Sequence, residues 1–206
     1  MNSNCIFKFF SRLDSITYNH SVRVAALSVE FERYNKMDNT ELSQAALVHD
    51  LGKVFISSKI LDKVGKLTDL EREIINLHPY IGYQLLKSMD VDENICRIVL
   101  YHHGFDPLLL SPVGNYDNRH VCEKSVMLHT IDAFEALTSD RPYHRGFPSH
   151  EALDIMCKEE GHHPEVMKYL RIMSNSSNPC LNTCVRRTCQ QVNCSFINDL
   201  LIRCTA

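Results

Sequence analysis

The chain is 206 residues long and 44% hydrophobic, enough to bury a core and suited to one domain with an appendage at most. Charged residues make up 23% and the net charge is -3, so no strong positive field gathers phosphate backbones, which argues against a DNA or RNA partner. With only seven Gly, seven Pro and no Trp, the composition reads as all-α.

No apolar run approaches the roughly 18 residues needed to cross a bilayer, so no membrane span is expected. The opening stretch Ile6-Phe7-Lys8-Phe9-Phe10 is too short, and interrupted by a lysine, to act as a secretory signal. The expected compartment is cytoplasmic, and the nine cysteines are expected as reduced thiols.

Helical spacing first shows in Val22, Ala25, Ala26, Val29 and Tyr34 after Asn19-His20, then in Leu42, Ala45, Ala46 and Leu47, a helix arriving at His49-Asp50. Thr68-Asp69-Leu70-Glu71 reads as a capping box that opens a helix through Leu77, and Pro79 suits the first turn of the next, which runs to about Met89. Asp92 is placed to cap a helix ending near His102-His103. A loop with two Pro and two Gly spans 104–118, and a longer helix then carries Val126, Ile131, Phe134 and Leu137 until Pro142 stops it. Ser149 is expected to cap a helix to about Lys158, and Pro164 to open the last one. A Ser/Asn run ends this body at residue 173. The tail, 174–206, holds Cys180, Cys184, Cys189, Cys194 and Cys204 without a paired Cys-x2-Cys knuckle. Its apolar residues are expected to pack on the body or on a second copy in a homodimer.

Chemistry concentrates in the histidines, eleven in all. Seven side chains stand out as ligands at helix ends or on helical faces: His20, His49, Asp50, His78, His102, His103 and Asp132. Imidazoles mixed with carboxylates suit Fe, Mn or Zn, and an adjacent His-Asp pair lets the carboxylate bridge two ions while the imidazole holds one. Apart from His144, the other histidines, His120, His129, His150, His162 and His163, read as ordinary surface or core groups, with His129 near enough to Asp132 in sequence to support it.

The order of these blocks resembles the HD-GYP family of the HD phosphohydrolase superfamily. The blocks are His20, His49-Asp50-Leu51-Gly52-Lys53, His78-Pro79-Tyr80-Ile81-Gly82, His102-His103, and Ile131-Asp132 through Ser139-Asp140-Arg141-Pro142-Tyr143. The resemblance covers about residues 15–172 and implies an all-α bundle around a dinuclear centre. By carry-over, one ion takes His20, His49, Asp50 and Asp132, and the other shares Asp50 and takes His78, His102 and His103. Ile16 stands where some members carry a glutamate for a third ion, so two divalent transition-metal ions are expected, Fe or Mn ahead of Zn. The implied reaction is hydrolysis of a cyclic dinucleotide, cyclic di-GMP or a relative, to the linear dinucleotide by metal-hydroxide attack. Asp50 and Lys53 are the implied catalytic residues. Lys53, Arg141, His144 and Arg145 are expected on the substrate, with Lys53 at the reacting phosphate and Arg141 gripping the second through its bidentate fork.

The chain departs from the family where Gly104-Phe105-Asp106-Pro107 follows the paired histidines and the Gly-Tyr-Pro signature is absent. That loop is expected to set substrate choice. Two other readings compete with the phosphodiesterase: a catalytically weak module that binds a cyclic dinucleotide, and an HD phosphohydrolase acting on another nucleotide. The full ligand set favours an enzyme, because a buried cluster of histidines and carboxylates is costly without a cation.

Overall fold

The computed structural model describes residues 3–104, 123–140 and 145–175. Among them it has ten α-helices, one short 3-10 helix and no strand, which bears out the all-α reading. The first helix, α1 (Ser3–Phe10), had no counterpart in the sequence reading; Ile6 and Phe10 are fully buried, and the Phe10 ring meets Tyr18 at 4.8 Å.

Helix α2 (Ser15–Tyr34) starts earlier than the apolar spacing after His20 suggested. Asp14 is the reason: its carboxylate accepts the backbone N–H groups of Ile16 and Thr17 at 2.9 Å, satisfying donors that would otherwise be orphaned. His20 therefore lies inside the helix, on the buried face that also carries Val24, Leu27 and Phe31.

Helix α3 (Glu41–Val48) is the core element. Every residue from Leu42 to Val48 is buried, as expected of a short helix covered on all sides. It packs on α2, and its C-terminal end delivers His49 and Asp50 to the interior. There the chain tightens into the 3-10 helix Leu51–Phe55. Residue 52 has to be glycine, because a Cβ there would lie 2.1 Å from the His78 carbonyl oxygen and 2.8 Å from the Gly82 nitrogen. This close approach presses the 3-10 helix against α6 (His78–Ser88).

Between them stand α4 (Ser58–Leu61) and α5 (Asp69–Asn76). The capping box is present, with Glu71 N–H donating to Thr68 Oγ1 at 3.2 Å and Thr68 N–H donating to Glu71 Oε2 at 2.7 Å. Asp92 caps α7 (Glu93–Tyr101), accepting from Asn94 N–H at 2.8 Å, and the helix ends at His102-His103.

Helix α8 (Glu123–Thr138) presents Ser125, Leu128, Asp132 and Glu135 to the interior at helical spacing. It packs on α2, α3 and α7, so its buried carboxylates face three histidine-bearing segments. The stop signal Pro142 lies outside the described residues. Helix α9 (Ser149–Met156) corrects one expectation: Pro148, not Ser149, holds the N-cap position, because its carbonyl accepts the Ala152 N–H at 3.0 Å. Helix α10 (Pro164–Asn175) opens at Pro164 and runs two residues beyond the boundary read at 173. Residues 176–206, with the five clustered cysteines, lie outside the described residues.

Candidate metal centre

The ends of α3, α5 and α7 deliver three histidines by the same local device. The last carbonyls of a helix have no partner within it. His49 Nδ1 faces the Ala46 carbonyl at 2.7 Å, His78 Nδ1 that of Ile75 at 2.8 Å, and His102 Nδ1 that of Val99 at 2.6 Å. A carbonyl can only accept, so each Nδ1 carries the proton and each Nε2 keeps a lone pair. All three imidazoles are buried.

Two of them, with His20, converge on Asp50. His78 Nε2 lies 3.2 Å from Asp50 Oδ1, His49 Nε2 lies 3.5 Å from Asp50 Oδ2, and His20 Nε2 lies 3.8 Å from the same oxygen. On the far side Asp132 Oδ1 is 2.8 Å from His20 Nε2 and 3.9 Å from His49 Nε2. Three sets of donor atoms lie mutually within 4.8 Å: His20, His49 and Asp50; His78, His102 and His103; and His49, His102 and Asp132. All seven residues singled out as ligands are thus brought together. The first two sets correspond to the two halves of the expected division, and the third runs between them.

The donor atoms fit divalent cations on two counts. His49 Nε2 is buried without a hydrogen-bond partner, an expensive state for a polar atom unless an ion takes its lone pair. His78 Nε2 and His102 Nε2 face each other at 3.3 Å, and with both protons committed at Nδ1 two lone pairs oppose each other, which a cation relieves. Electrostatics points the same way. Burial would raise the Asp50 carboxyl, but Lys53 leads the charges that hold it well below the usual carboxylate range. Burial pushes His78 down to about 3 and depresses His102 and His103, which keeps these ligands unprotonated. Burial would depress His20 too, yet its hydrogen bonds to Asp132 and Glu135 outweigh it and hold the value up at about 10, so the pair of carboxylates favours positive charge here.

Lys53 sits one turn of the 3-10 helix beyond Asp50, with Nζ 2.8 Å from the carboxylate. Its side chain is 22% exposed, so the ammonium stands between the buried cluster and solvent. Arg145 is exposed and lies beyond the end of α8. Arg141 and His144 lie outside the described residues, as does the loop beyond Gly104 that was expected to set substrate choice. A cavity of about 220 Å³ bordered by His103 and His129 opens beside the cluster. The His129 ring stands edge-on to His103 at 6.2 Å and stacks on His162 at 5.4 Å. His163 donates its backbone N–H to Thr130 Oγ1 at 2.8 Å and pairs with Glu123, a structural role, whereas His150 is exposed. His120 lies outside the described residues.

The sequence reading missed Glu135 and Arg23. Glu135 is fully buried and meets His20 Nδ1, Arg23 Nε and Ser139 Oγ. The available signal was its place three residues after Asp132, on the same face of one helix.

Residues 17–137 match the family described as HD domain. The chain is 34% identical over 160 residues to the Cyclic di-GMP phosphodiesterase PA4108 of Pseudomonas aeruginosa, covering 75% of this chain and 38% of that protein. It is 32% identical over 172 residues to the 3'3'-cGAMP-specific phosphodiesterase 3 of Vibrio cholerae, covering 79% of this chain and 36% of that one. The chain therefore spans less than two fifths of the length of either relative. Among solved structures, its fold is like that of the L. monocytogenes phosphodiesterase PgpH HD domain in complex with cyclic-di-AMP, with a TM-score of 0.53, 18% identity, and coverage of 91% of this chain and 88% of that one. No helix among the described residues is long and apolar enough to cross a membrane.

Proposed function

Because the chain belongs to the HD-domain family, we propose that it is a metal-dependent phosphodiesterase that hydrolyses a cyclic dinucleotide, cyclic di-GMP or a related one, to the linear dinucleotide. The observation that carries this reading is the gathering of His20, His49, Asp50, His78, His102, His103 and Asp132 into three neighbouring clusters of donor atoms, with Asp50 facing His20, His49 and His78. The relatives' substrates support it, and so does their similarity across three quarters of this chain.

His20, His49, Asp50 and Asp132 would hold one divalent ion, and His78, His102 and His103 the other, with Asp50 shared. The set contains no thiolate, and its imidazole and carboxylate donors suit Fe or Mn ahead of Zn. When bound, the two ions supply Lewis acidity to a phosphoryl group and acidify water enough for it to serve as the nucleophile near neutral pH.

The chain's own residues do the rest. Asp50 and the lone pairs set by the three helix-end carbonyls fix where a phosphodiester can sit. Lys53, at the rim, is placed to leave Asp50 for a non-bridging phosphate oxygen and stabilise the charge that develops there as water adds to phosphorus and one P–O ester bond breaks. Arg141 would hold the remote phosphate, with His144 and Arg145 beside it. No protein nucleophile is required.

The test is metal analysis of anaerobically purified protein coupled to turnover of cyclic di-GMP, 3'3'-cGAMP and cyclic di-AMP. Two transition-metal ions and formation of a linear dinucleotide support the proposal. Tight binding without product from fully loaded protein would turn it into a binding module, and product only from other nucleotides would keep the chemistry and change the substrate.

A further inference from the structure

His49, His78 and His102 borrow a carbonyl three residues back, at a helix end where that carbonyl lacks its regular helical N–H partner. His20 has no such option, because it lies within α2, where the preceding carbonyls are taken by the helix's own N–H groups. Its Nδ1 meets Glu135 instead, from a helix 115 residues further along the chain. Glu135 is fully buried, and a buried carboxylate is tolerated only where charge and hydrogen bonds satisfy it. Arg23 and Ser139 supply both. Asp132 lies one turn before Glu135 on α8 and takes the other ring nitrogen of His20 at 2.8 Å, so one helix grips this imidazole at both ends.

We infer that Glu135 is a positioning residue for the metal centre, with Arg23 as its charge partner. It holds a proton at Nδ1 and the ring in place, so that an ion can take Nε2, replacing the proton that Asp132 accepts there, as the ligand atom it adds to His49, Asp50 and Asp132. The inference rests on the ligand set proposed above. It makes the placement of His20 dependent on one buried side chain, whereas His49, His78 and His102 depend on backbone carbonyls that no substitution removes.

Titration of the metal-free chain with Mn²⁺, read as ions bound per folded chain and as two affinities, tests this without any turnover. The wild type should take up two ions. Glu135→Gln, nearly the same shape without the charge, should weaken one ion by about 10- to 100-fold and leave the other unchanged. Glu135→Asp, which restores the charge, should recover part of the loss, and Arg23→Met should reproduce a smaller version of it. Circular dichroism of the metal-free variants reads the fold separately. If Glu135 only supports structure, Glu135→Gln will lower the thermal midpoint of the metal-free chain yet bind both ions with wild-type affinity, and that result overturns the inference alone. A wild type that takes up fewer than two ions overturns the ligand set, and the inference falls with it.

Discussion

The two halves of the candidate centre are built by different means. On one side His78 and His102 are oriented by carbonyls three residues away, at the C-terminal ends of helices whose starts the sequence signals with a capping box and an Asp cap. On the other, His20 is oriented by two carboxylates of α8 that reach it only after the bundle has closed. His78 and His102 are set by local structure and His20 by tertiary packing, while His49, in the same half as His20, still takes its orientation locally from the Ala46 carbonyl. Asp50 belongs to both, since its two oxygens face histidines from each side.

Substitutions can erase or sharpen that contrast. Asp50→Ala should erase it by emptying both halves, lowering turnover by well over the ~100-fold usual for loss of an outer-shell partner. Metal analysis and activity of the same sample check this, and a variant that retains two ions would remove Asp50 from the shared position. Lys53→Ala should leave both halves filled and lower kcat by about 10²- to 10³-fold, as expected when a preorganised charge is withdrawn from a transition state. Arg141→Ala should act mainly on KM, and steady-state kinetics separates the two effects. Gly52→Ala should disturb the His78 half most. Its new methyl group would collide with the His78 carbonyl, costing about 3 kcal/mol or more of stability and weakening the ion held by His78 more than the one held by His20. Denaturant unfolding and the two Mn²⁺ affinities read these effects separately.

The division also explains what was legible in the sequence. The seven candidate ligands stood in five blocks whose order carried a family resemblance, and Thr68, Pro79 and Asp92 marked where three of the helices that carry them begin. Glu135 and Arg23 had no such marker. Glu135 reads as one more acid on an amphipathic helix, and its meaning comes from a contact across 115 residues. The start of α2 is hard to read because the apolar spacing begins only after His20, whereas the first turn capped by Asp14 buries little. Helix α1 lies in a stretch too short for its apolar pattern to separate a helix from other structure. Gly52 could be read as part of a motif, but the carbonyl that excludes a side chain there is visible only in the fold.

The most direct test of the account is a single comparison: turnover of cyclic di-GMP and 3'3'-cGAMP by the chain loaded with Mn²⁺ or Fe²⁺, beside Asp50→Ala treated identically. The wild type should bind two ions and release a linear dinucleotide, and the variant should do neither. A fully loaded wild type that releases no linear product, or an Asp50→Ala protein that releases as much, would contradict it.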